Sequence, residues 1–255
     1  MKKTSACVLF LLLLLTAFAF ADDHNRGAGV SPEEALKLLK EGNVRFVAGK
    51  TVHLHSDTAR AKDTKEHGQH PFATILTCSD SRVSLPVIFD QGIGDIFSIK
   101  IAGNVSGKPQ LGSIEYGVAH AGSQLVVVLG HTNCGAVTAA CTDGGHEGNI
   151  ETLMKALEPA VKKAEAKTGK KGEDLIADAC KENVFHQIET LYRGSEILRE
   201  KITKKELQII GGVYDIETGK VEFFGEHPNA KTLLKAPKKP KQEKKEKKAA
   251  EHSKA

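Results

Sequence analysis

Cysteine is scarce, at five residues in a chain of 255, which excludes a small fold stapled by disulfides. Glycine and proline, 24 and 8 in number, are too few for a collagen-like chain. There is no internal repeat, and beyond the first twenty residues no apolar run is long enough to cross a membrane. Aromatic residues make up only 5%, yet hydrophobic residues at 40% suffice for a real core, which excludes a mainly disordered chain. The body also lacks positive charge. Of the formal +4, the first 21 residues carry +2 and the last 20 carry +5, so residues 22–235 carry −3. A mildly acidic body is not the electrostatic footprint of a nucleic-acid binder.

The two ends read differently from the body. Lys2 and Lys3, the apolar run from Ala6 to Phe20 and the small-x-small site Ala19-Phe20-Ala21 predict a cleaved signal peptide over residues 1–21. The competing reading is an uncleaved anchor, but the run falls short of the roughly 20 residues a span prefers. No lipid-attachment context surrounds Cys7 and there is no twin-arginine pair, so the general secretory route and a periplasmic destination are expected. Residues 236–255 form a Lys-rich, low-complexity tail that is expected to be disordered, either touching anionic lipid or polymer or simply solvated. Between them, residues 22–235 read as one domain with an N-terminal helical arm.

Ser31-Pro32-Glu33-Glu34 is a helix start, and the helix continues to about Phe46. Residues 50–70 read as polar and irregular, with His53, His55, His67 and His70 solvent-exposed rather than a metal patch. Phe72–Thr77, Asp95–Ile101 and Leu125–Leu129 are continuous apolar runs that suit strands buried on both faces of a parallel sheet. Helices are expected over Ser113–Ala121, Cys134–Ala140, Ile150–Ala166 and Glu173–Tyr192. Two late strands, Leu207–Ile210 and Val221–Phe224, are joined through the hairpin turn Glu217-Thr218-Gly219-Lys220. The fold class is α/β: a mostly parallel central sheet flanked by helices, with an antiparallel C-terminal edge.

The chemistry gathers where open α/β sheets place it, beyond the carboxyl ends of the strands. The first run ends in Cys78-Ser79-Asp80-Ser81-Arg82 and the third in His131-Thr132-Asn133-Cys134. Two thiols and an imidazole suit zinc, and three protein ligands leave a fourth position for water. A closed zinc site with a further ligand, or a Cys78–Cys134 disulfide, stays open on spacing alone. Asp80 can accept a hydrogen bond from a metal-bound water or ligate the metal, and Arg82 would keep it ionised; an ordinary turn salt bridge is the plainer reading. Cys141 and Cys180 are most simply buried thiols, with a disulfide between them as the alternative.

The segments CSDSRV at 78–83, AGNV at 102–105, IEY at 114–116, GHTNCGAV at 130–137 and GGVYDIETGKVEFF at 211–224 resemble the β-class carbonic anhydrases. The resemblance runs from about Ser31 to Phe224. It implies a zinc ion held by Cys78, His131 and Cys134, with Asp80 and Arg82 as the catalytic dyad. It further implies that Gln69 hydrogen-bonds bicarbonate and that Phe97 and Tyr116 are pocket aromatics of the plant-type branch. In that family the pocket spans an intertwined homodimer, or a higher oligomer, so some of these residues would come from the partner chain.

The expected activity is reversible hydration of carbon dioxide to bicarbonate and a proton by zinc-bound hydroxide. Two thiolates cancel the charge of the dication, so activity should rise toward alkaline pH. His67, His70, His120 and His146 are the candidate proton shuttles. The rival readings are a carbon disulfide or carbonyl sulfide hydrolase on the same scaffold, a non-catalytic zinc-binding protein, and a thiol–disulfide protein.

Overall fold

Ser31 opens the first helix as its hydroxyl predicts, accepting a hydrogen bond from the Glu34 N–H at 3.2 Å while Pro32 occupies the first turn. The computed structural model describes residues 29–142 and 147–235; the leader at 1–21, the tail at 236–255 and His146 lie outside the described residues. In chain order the elements are α1 (Pro32–Val47), α2 (Thr58–His67), β1 (Ala73–Thr77), α3 (Leu85–Ile88), β2 (Ile96–Lys100), α4 (Lys108–Ala119), β3 (Leu125–His131) and α5 (Gly135–Thr142). They continue with α6 (Ile150–Thr168), α7 (Ile176–Gly194), α8 (Glu196–Thr203), β4 (Gln208–Tyr214), β5 (Val221–Gly225) and α9 (Ala230–Leu233).

The five strands form one sheet in the order β2-β1-β3-β4-β5. The first three pairings are parallel and β4 with β5 is antiparallel, as the apolar runs and the late hairpin predict, but β2 is an edge strand with Ser98 and Lys100 exposed rather than buried on both faces. Every residue of β1 and β3 is buried. On β3, Leu125, Val127 and Leu129 enter a core shared with Ala35, Leu39 and Phe89. Val126 and Val128 enter the opposite core with Ile114, Val184 and Ile188. The alternation follows from the two-residue period of a strand, and burial on both sides is why charged residues are missing from these two strands, while the buried Thr74 and Thr77 of β1 hydrogen-bond to Ser123 and to the Leu129 carbonyl.

The registers bring the site together. Thr77 pairs with Leu129, so Cys78, just past the end of β1, lies at the same sheet edge as His131, the last residue of β3. At the far edge the hairpin closes as expected: Asp215 N–H donates to the Lys220 carbonyl at 2.8 Å, and Gly219 takes the left-handed conformation (φ 73°). Asn43 ties α1 to this turn, donating to the Gly219 carbonyl at 2.9 Å and accepting from Val221 N–H at 2.9 Å.

Several expectations are corrected. Residues 58–67 are helical rather than irregular: Asp57 caps α2 by accepting from Arg60 N–H at 2.8 Å. That helix buries none of its residues, so the apolar periodicity that betrays most helices is missing. His55 is not solvent-exposed; its side chain retains 8% exposure and its Nδ1 lies 2.8 Å from the Asp95 carboxylate. The helix foreseen from Ser113 begins at Lys108, with a proline in its first turn. The helix foreseen from Glu173 starts as a 3-10 turn over Gly172–Leu175 and becomes α-helical at Ile176. Among the described residues no helix is long and apolar enough to cross a membrane.

Candidate metal centre

Cys78, His131 and Cys134 are all buried, and one ligand atom from each lies within 4.8 Å of the others. The order of events along the chain explains the convergence. β1 ends at Thr77, a turn presents Cys78, β3 ends on His131, and Asn133 (φ 53°) turns the chain so that Cys134 precedes α5.

His131 is oriented by its own backbone: Nδ1 donates to the Thr132 carbonyl at 2.8 Å, which fixes the tautomer and leaves Nε2 with its lone pair. That Nε2 is buried and has no hydrogen-bond partner. A buried polar atom without a partner is costly, and here it belongs to a group that also holds two sulfurs. The Sγ atoms of Cys78 and Cys134 are 4.0 Å apart. Two thiolates about 2.3 Å from a tetrahedral zinc ion sit roughly 3.8 Å apart, so the donor set fits zinc with little adjustment. All four described cysteines are free, so neither the Cys78–Cys134 nor the Cys141–Cys180 disulfide is present.

The electrostatics of the pair suit a metal. Cys78 is drawn down, chiefly by its contact with Cys134 and further by the N–H groups of Asp80 and Gly103, against the opposing effect of burial. The same contact pushes Cys134 up. A bound cation favours the deprotonated form of both sulfurs. Cys180, by contrast, is pushed up to about 12 by burial and behaves as an inert core thiol.

Asp80 stands beside the three. Arg82 donates to it from its backbone N–H at 2.9 Å and from Nε at 3.0 Å, both to Oδ1, and from a terminal nitrogen to Oδ2 at 2.8 Å. These hydrogen bonds hold the Asp80 carboxyl well below the usual carboxylate range. Arg82 is itself steadied by the Asn133 carbonyl at 3.1 Å. Asp80 Oδ2 lies 3.9 Å from His131 Nε2, so the carboxylate faces the donor set while remaining engaged by the guanidinium. This is more than a turn salt bridge, because both partners are anchored to the loops that carry the thiols and the imidazole.

Of the other three candidates, Phe97 and Tyr116 are brought together with one another, and none of the three with this centre. Phe97 and Tyr116 lie with ring centroids 6.0 Å apart. Phe97 pairs in register with Thr74, four residues before Cys78, which is about 13 Å along a strand. Gln69 is exposed and precedes β1. All three therefore lie toward the amino edge of the sheet, opposite the cysteines. Sequence reasoning missed Asn183 and Gln187 of α7, which reach the turn after β2; their only signal was a pair of amides four residues apart on a face otherwise occupied by Val184, Ile188 and Leu191.

Comparison with known proteins agrees with the geometry. The carbonic anhydrase family profile matches residues 73–221. The carbonic anhydrase 2 of Mycobacterium tuberculosis is 37% identical over 194 residues, covering 74% of this chain and 91% of that protein. The β-carbonic anhydrase of the fungal pathogen Aspergillus fumigatus superposes with a TM-score of 0.61 at 26% identity, covering 69% of this chain and 89% of that one. A tetrameric β-carbonic anhydrase of Sordaria macrospora gives 0.60 at 26% identity, covering 70% and 91%. By its motifs, its sheet and these relatives, the chain belongs to the β-carbonic anhydrase family.

Proposed function

We propose that the protein interconverts carbon dioxide and bicarbonate, using zinc held by Cys78, His131 and Cys134 with Asp80 and Arg82 as the catalytic pair. The observation that carries this reading is the buried, unpartnered Nε2 of His131, facing two sulfurs beside a carboxylate that is already fixed in place. Bound there, zinc supplies the Lewis acidity that makes a water nucleophilic near neutral pH. Asp80, kept ionised by Arg82, accepts a hydrogen bond from that water and so orients it. Arg82 holds the carboxylate in one rotamer through a two-pronged grip. Carbon dioxide is neutral and needs little more than an apolar wall, which Phe97 provides. Gln69 donates its amide to the oxygen on which charge develops, and Tyr116 completes the pocket.

Gln69, Phe97 and Tyr116 lie at the opposite sheet edge from the cysteines of their own chain, which favours a homodimer whose partner supplies them. The expected leader supports export, with a periplasm as the proposed compartment and residues 22–235 as the proposed catalytic unit. Asp80→Ala tests the assignment. Hydration should fall by roughly 10² to 10⁴ while metal analysis still finds one zinc per chain. Loss of zinc with the activity would make Asp80 a ligand and overturn the open-site reading. Turnover of carbonyl sulfide but not carbon dioxide would overturn the substrate.

A further inference from the structure

The turn that follows β2 carries one of the hydrogen bonds to the metal-site sulfur. Gly103 N–H donates to Cys78 Sγ at 3.3 Å, alongside Asp80 N–H at 3.4 Å. Gly103 (φ 69°) and Asn104 (φ 43°) are successive residues in the left-handed region, which glycine adopts freely but which disfavours the side chain of Asn104. The start of the turn is tied to β1, where the Ile101 N–H donates to the Thr77 carbonyl at 3.1 Å, and Asn104 N–H donates back to the Ile101 carbonyl at 2.9 Å.

Further restraint comes from α7. Ser106 donates to Gln187 Oε1 from its N–H at 2.8 Å and its hydroxyl at 3.0 Å. The Ser106 N–H can only donate, so the Gln187 atom facing it must be the oxygen. Its amide nitrogen therefore points the other way, to Asn183 Oδ1 at 2.9 Å. Asn183 is turned in its own right, donating from Nδ2 to the Gly103 carbonyl at 2.8 Å and to Asn104 Oδ1 at 3.2 Å. Each amide fixes the next, and both side chains are 1% exposed. No step of the proposed reaction uses these residues.

We infer that Asn183 and Gln187 are positioning residues for the metal centre: through the Gly103–Asn104 turn they aim the Gly103 N–H at Cys78 and so set how much charge that sulfur gives to the metal. This inference rests on the zinc reading above. A hydrogen bond to a ligand sulfur withdraws charge from it. Two thiolates cancel the charge of a dication, so this withdrawal restores part of the Lewis acidity the reaction needs.

The test uses the full protein loaded with cobalt(II) in place of zinc, reading the sulfur-to-cobalt charge-transfer band and the competition of a chelator for the metal. In Asn183→Leu the band should move to longer wavelength and the metal should be held roughly 10- to 100-fold less tightly. Gln187→Met should shift the band in the same direction by less, and it decides the matter alone if the first variant fails to fold. Ile188→Val, a packing change on the same helix within the other core, should leave the band in place. An unmoved band in a folded Asn183 or Gln187 variant, or an equal shift in Ile188→Val, overturns the inference. Failure of the unsubstituted protein to bind cobalt would instead overturn the metal reading beneath it.

Discussion

Arg82 grips Asp80 through three nitrogens and reaches the Asn133 carbonyl as well. The planar guanidinium makes that combination available; an ammonium offers a point charge without the fork. Arg82→Lys is therefore expected to keep zinc and fold but to lower kcat by roughly 10²-fold, with the loss in kcat rather than KM, as for a group that acts through Asp80. Steady-state hydration kinetics with parallel metal analysis check it. At this scale the cysteines, His131, Asp80 and Arg82 were legible because each closes a buried apolar run, and strand ends in an α/β sheet are where side chains meet ligands. Asn183 and Gln187 were not. A buried amide reads in sequence like a solvated one, and only the packing of α7 against the turn after β2 shows that both are inside. His55 misled for the same reason: its burial depends on Asp95, forty residues away.

Elements announce themselves by periodicity and length, and two that lack one or the other were missed: α2 has no buried face, and α8 buries Leu198 and Arg199 but is only eight residues long. α2 buries nothing and is held by the Asp57 cap and by ion pairs such as Arg60 with Asp63 at 2.8 Å, while α8 begins at Ser195, whose hydroxyl accepts from Leu198 N–H at 3.1 Å. The junction between α1 and α3 gives a prediction at this scale. Asp90, buried at 2% exposure, accepts from the Nε of Arg45 on α1 and from the N–H groups of Val52 and His53. Burial alone would raise its pKa, but Arg45 and the two N–H groups together bring it below the ordinary value. A carboxyl that titrates lower when folded contributes its stability in full above the unfolded value, about pH 4, and loses it as pH falls through the folded value. Asp90→Asn should cost about 1–3 kcal/mol at pH 7. That difference should narrow as unfolding is repeated below pH 4. A gap that widens in acid would contradict the assignment.

The molecule as a whole has two functional edges. The carboxyl edge of the sheet carries the candidate ligands, and the amino edge carries Gln69, Phe97 and Tyr116. A single chain does not bring the two sets together, and the proposed homodimer would do so by presenting one chain's amino edge to the other's carboxyl edge. The sequence resembled a family built this way, but the separation of the two edges became visible only once the strand registers were known. Subunit complementation tests it. Asp80→Ala and Gln69→Ala should each be nearly inactive alone. Dissociated and reassociated together, they should regain activity, because one site of the mixed dimer then has Asp80 from one chain and Gln69 from the other. Equal inactivity of the mixture would place Gln69 in its own chain's pocket.

The most direct measurement of the central claim is stopped-flow hydration of carbon dioxide by the zinc-loaded protein from pH 6 to 9. Saturable turnover that climbs toward alkaline pH, as expected for a water activated beside two thiolates, is the predicted result. Zinc bound at one per chain with no hydration anywhere in that range, or a profile that is flat across it, would contradict it.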